Sequence, residues 1–75
     1  METHSEILIF KTNIESEYDL EKIAPLLNAE RKIKRWNVDR EDTDHVLRIE
    51  SEQLDLNKVI QSVEHAGFLC EELAD

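Results

Sequence analysis

Three histidines, a single cysteine and a dense set of carboxylates are the residues of this 75-residue chain whose types could do chemistry. Cys70 stands alone, so any metal site would have to join it to His45 or His65. No ligand spacing supports that set, and a structural site normally takes four ligands. His4 would chelate Cu(II) or Ni(II) through backbone nitrogens only once Met1 is removed. Glu2 is too large for the usual removal, so a solvated tail histidine is expected. The densest cluster is Glu15, Ser16, Glu17 and Asp19, whose oxygens would attract Ca²⁺, Mg²⁺ or Mn²⁺ weakly. The same residues suit a helix start. Ser16 is a good N-cap and Asp19, three residues on, completes a capping box. Acidic side chains here also face the positive end of a helix dipole. The cap is the expected role of Ser16 and Asp19, leaving Glu15 and Glu17 as weak metal candidates. No metal and no cofactor are expected.

Catalytic arrangements are equally sparse. There is no Ser-His-Asp order with a supporting motif, no base beside Cys70, and one glycine where a phosphate loop needs several. Arg48 and Asn37 are the residue types that phosphate-ester hydrolysis on an anion-binding loop would use. The first strand–helix loop, however, lacks the glycines and the arginine to hold the anion. The chain is not expected to be an enzyme.

The elements that position these residues follow from periodicity. Ile7 to Lys11 is a short apolar run that reads as a strand with both faces covered, hence central in a sheet. A helix starts after Ser16, with Leu20, Ile23, Ala24 and Leu27 as its buried stripe. Pro25 is expected to bend or divide it, and Arg31, Lys32 and Lys34 to close it at the negative end. A second strand runs from Ile33 to Arg40, the cluster Glu41 to Asp44 forms a turn, and His45 to Glu50 is a third strand. Asp55 caps a second helix carrying Leu56, Val59, Ile60 and Val63. Gly67 ends that helix, and Phe68 to Leu73 forms the last strand. This order predicts an α+β, ferredoxin-like βαββαβ sandwich, a four-stranded antiparallel sheet with two helices on one face. The first and third strands are central and the second and fourth are edges, protected by polar residues. Residues 1–75 form one domain, with residues 1–6 expected as a disordered tail.

Composition bounds the function. At 40% hydrophobic and 36% charged residues the chain has enough apolar material for one core. A domain of this size holds about 4–11 kcal/mol of stability in total. A net charge of −9 disfavours nucleic acid and anionic membranes as partners. A lone cysteine suits a reducing compartment, and no signal sequence or membrane span is evident, so a cytoplasmic protein is expected.

The chain resembles the heavy-metal-associated domains of copper chaperones and copper-transporting ATPases. That family's pattern is a strand, Gly-Met-x-Cys-x-x-Cys, a helix, a Gly-Val pair and an alternating V-x-V strand. Setting Ile14 on the methionine brings Ile23 and Leu27 to the buried helix positions. Without a gap, Ile33 then meets the valine, and Trp36 and Val38 the alternating strand. Ala66-Gly67-Phe68-Leu69-Cys70-Glu71 resembles the A-G-Y-x-A-E close, with Cys70 on the small alanine. The two cysteines fall on Ser16 and Asp19, the glycine on Asn13. A hydroxyl and a carboxylate do not select Cu(I), so the resemblance carries the fold and not the metal chemistry.

What remains is a contact surface for a protein partner or a second copy. The resemblance assigns the open sheet face Leu8, Phe10, Val46 and Leu69, with Asn37, Asp39, Arg48 and Glu50 around them. A one-residue slip of the first strand would exchange Leu8 and Phe10 for Ile7 and Ile9. Trp36 either fills the core against the first helix or anchors a partner. Tyr18, in the first helical turn, is the more exposed aromatic. A metal-responsive protein using the acidic loop or a His/Cys set is the alternative.

Overall fold

A computed structural model describes residues 6–73. The six elements are β1 (Glu6–Thr12), α1 (Glu17–Asn28), β2 (Ile33–Asp39), β3 (Val46–Ser51), α2 (Leu56–His65) and β4 (Cys70–Glu72). They form one antiparallel sheet in the order β2-β3-β1-β4, with β1 and β3 central as the apolar first run predicts. β1 opens at Glu6, paired with Ser51, one residue before the expected strand. The rest of the expected tail, including His4, lies outside the described residues.

The core lies between the sheet and the helices. Phe10, Leu47 and Ile49 from the central strands meet Ile23 and Leu27 of α1 and Val59 and Val63 of α2, all buried. Two helices and one sheet face thus hide their apolar stripes together, which is what makes so short a chain able to fold.

Pro25 does not divide α1, which runs as one 12-residue helix with the proline inside. Glu21 and Pro25 both lie on the exposed side of the helix, while Ile23 and Leu27 on either side of the proline anchor both halves in the core. The expected basic closure of α1 is also corrected. The helix stops at Asn28 with Ala29 as C-cap, and its last turn carries no basic residue. Arg31 and Lys32 lie in the following turn, and Lys34 lies in β2, where its ammonium meets Glu52 at 3.3 Å. Trp36 takes its core position. It packs partly buried against the core, and its Nε1 donates to Asn28 Oδ1 at 2.9 Å, tying β2 to the end of α1.

The register of β1 is the slipped alternative. Leu8 pairs with Ile49 and Phe10 with Leu47, and both partners are fully buried on the helix side. Ile7 and Ile9, opposite Glu50 and Arg48, therefore occupy the open face. β4 is shorter than the predicted Phe68 to Leu73 strand. Gly67 sits at φ +100, and the Leu69 N–H donates to the Asn13 side chain rather than to a neighbouring strand.

Candidate functional site

The β1–α1 junction is built from its own polar side chains. Thr12, buried at the end of β1, donates from Oγ1 to the His45 carbonyl at 2.6 Å and accepts from the Ile14 N–H at 3.2 Å. Ile14 is fully buried and acts as an apolar plug under the loop. Asn13 Oδ1 accepts from the Leu69 N–H at 2.9 Å, which joins the loop to the entry of β4. The helix then starts with the reciprocal capping box: Ser16 Oγ accepts from the Asp19 N–H at 3.1 Å. Asp19 Oδ2 accepts in return from the Glu15 and Ser16 N–H groups at 3.0 and 3.3 Å. These backbone donors favour the charged carboxylate and hold the Asp19 carboxyl below its ordinary value, with smaller help from the Ser16 hydroxyl and the Lys22 ammonium. Ser16 and Asp19 are therefore engaged with the backbone of the loop that they close.

The candidate ligands elsewhere are not brought together. Cys70 is 6% exposed and points into the core, where burial and the nearby Glu64 charge push its thiol up to about 12. His65 ends α2 and lines an open groove of about 460 Å³ between the helices, beside Lys58 and Gln61. His45 turns the chain into β3 at φ 44, with Nδ1 buried and without a hydrogen-bond partner. Among the described residues, no three His, Cys, Asp or Glu side chains converge as a group that could hold a metal ion. Asn37 and Arg48 do meet, opposite each other across β2 and β3. They line a shallow depression of about 90 Å³ with Arg35 and Glu50.

The expected contact surface is redistributed. Phe10 is fully buried and Leu8 packs against the core, so neither is available on the open face, as the β1 register requires. Val46 does lie there, half-buried, with Ile9 and the 54% exposed Ile7. Of the other two expected contact residues, Tyr18 at 68% and Leu69 at 67% are the most exposed large apolar side chains among the described residues. Lys22 links Tyr18 to Phe68, a residue that sequence reasoning missed as part of this surface. Its Nζ lies 5.9 Å from the centre of the Tyr18 ring and 5.6 Å from that of Phe68. The Tyr18–Lys22 spacing of one helical turn is a signal for half of this contact. Nothing local to Phe68 announces the other half.

Three solved structures show what this geometry is similar to. The apo HMA domain of the copper chaperone for superoxide dismutase superposes with a TM-score of 0.77 at 12% identity, covering 99% of this chain and 72% of that one. The chain has the heavy-metal-associated fold. Oxidized MerP from Ralstonia metallidurans CH34 matches with a TM-score of 0.79 at 7% identity, over 95% of this chain and all of that one. The N-terminal domain of PacS from Synechocystis PCC6803 matches with a TM-score of 0.76 at 10% identity, covering 92% of this chain and 98% of that one. No protein-family model matches the sequence, and no curated protein does. The heavy-metal-associated fold is thus present with one cysteine in the whole chain, too few for a Cys-x-x-Cys pair.

Proposed function

We propose that this protein is a non-enzymatic, cytoplasmic interaction module on the heavy-metal-associated fold, acting through contact with a protein partner or a second copy rather than by carrying copper. The observation that supports this reading is the closed loop. Ser16 Oγ and Asp19 Oδ2 spend their hydrogen-bonding capacity on three backbone N–H groups, while Tyr18 and Leu69 stand exposed next to them. A site that releases and accepts a soft cation needs thiolates with open access. The one thiol here is buried and held protonated. The net charge of −9 argues for a protein rather than a nucleic acid or an anionic membrane as partner.

Two measurements test the reading. Titration with Zn²⁺, Cu(I), Ni²⁺ and Ca²⁺, followed by backbone amide shifts, is expected to give no saturable change up to about millimolar ion, far above sensor-type affinities. Saturable shifts confined to Glu15 to Leu20, or to the surroundings of Cys70, would overturn it in favour of a metal-responsive protein. Size-exclusion chromatography with light scattering decides between the two kinds of contact: a clean monomer at high micromolar concentration removes the self-association version.

A further inference from the structure

Building on the interaction reading, we propose that the partner is a basic protein segment whose lysine or arginine side chain docks on the Tyr18–Phe68 ring pair that Lys22 now covers. The ring faces carry negative quadrupole charge and attract a cation within about 6 Å. One ammonium already takes that position on both rings at once, at 5.9 and 5.6 Å. Lys22 is itself exposed, so it can swing into water and leave the pair to an incoming cation. Phe68 packs partly buried against the core, which fixes its ring in place, while Tyr18 stands exposed.

The charge around the rings selects the partner. Glu15, Glu17 and Glu21 are exposed on the loop and the first turns of α1. Lys22 is the one basic residue between Asn13 and Asn28. A second copy would bring the same acidic rim against itself, so like charges oppose self-docking at this patch. A basic partner gains both from the carboxylates and from the ring faces.

The probes are three 12-residue peptides with identical leucine spacing and Lys, Gln or Glu at every other position, added to the ¹⁵N-labelled full chain. The lysine peptide is expected to shift the amides of residues 17–22 and 68–71, with binding that weakens as salt is raised. Tyr18→Ser, at an exposed helix position, is expected to weaken that binding about 2- to 5-fold, the range of an exposed cation–π contact. Lys22→Gln uncovers the rings and removes a repelling charge, so it is expected to strengthen binding. Equal shifts of the patch with the Glu or Gln peptide would overturn the basic-partner proposal and leave the interaction reading standing. Lysine-peptide shifts located elsewhere, or unchanged by Tyr18→Ser, would also overturn it, as would no shift at all. The interaction reading answers separately to the metal titration.

Discussion

Ser16 and Asp19 each answer for the other's backbone, so removing either opens two ends of one arrangement. Ser16→Ala leaves the Asp19 N–H without its acceptor. It is expected to cost about 0.5–2 kcal/mol in urea unfolding, the usual worth of an N-cap. Asp19 adds a pH dependence with a definite sign. Its folded-state value lies below the ordinary 3.8, so the carboxylate stabilises the fold fully above that value. The contribution is lost as pH falls through the lower folded-state value. Asp19→Asn should therefore unfold more easily at neutral pH and show a shallower loss of stability below about pH 4 than the parent chain. Cys70 gives the third residue-level test. Its thiol is raised from 9.0 to about 12 by burial and Glu64. Alkylation by iodoacetamide at pH 8 should run at least about tenfold slower in the folded chain than in urea, since the thiolate is the reactive form. Equal rates would show the thiol to be open to solvent.

The elements were legible in the sequence to very different degrees. Their order, the central places of β1 and β3, and the start of α1 all follow from patterns that a single segment carries: an apolar run, or a Ser-x-x-Asp before a helical stripe. The register of β1 does not, because Ile7, Leu8, Ile9 and Phe10 are all apolar and no alternation marks the buried face. Only pairing with β3, whose Leu47 and Ile49 alternate with Arg48 and Glu50, decides it. The contact between Phe68 and Lys22 was hidden for a related reason, since segments distant in sequence meet there. The register has an energetic consequence. Phe10→Ala should cost about 3–5 kcal/mol, a large part of the stability of a domain this small. Ile7→Ala, at a half-exposed position on the open face, should fall within about 0.5 kcal/mol of the parent. Similar losses at both positions, measured by urea unfolding or by the folded fraction of each variant, would contradict the pairing.

The molecule as a whole carries nine more negative than positive charges on a body of 11.7 Å radius of gyration. Among the described residues, the pairs Lys11–Asp44 and Lys34–Glu52 are largely exposed and Arg35–Glu50 joins an exposed guanidinium to a half-buried carboxylate, so each contributes little. Repulsion among the excess carboxylates should outweigh them. Raising NaCl from about 20 to about 300 mM, which shortens the screening length to well under 10 Å, is expected to raise the urea midpoint. A falling midpoint would mean that the ion pairs dominate. The closed β1–α1 junction matters at this scale as well. A loop organised around a bound ion presents its neighbouring surface only as often as the ion is there. Here the organising groups are Thr12, Asn13, Ser16 and Asp19, which are covalently part of the chain and always at hand. On the proposed reading, the ring pair beside them is a standing feature of the fold, and its occupancy is expected to follow the supply of its partner and to be unchanged by chelators.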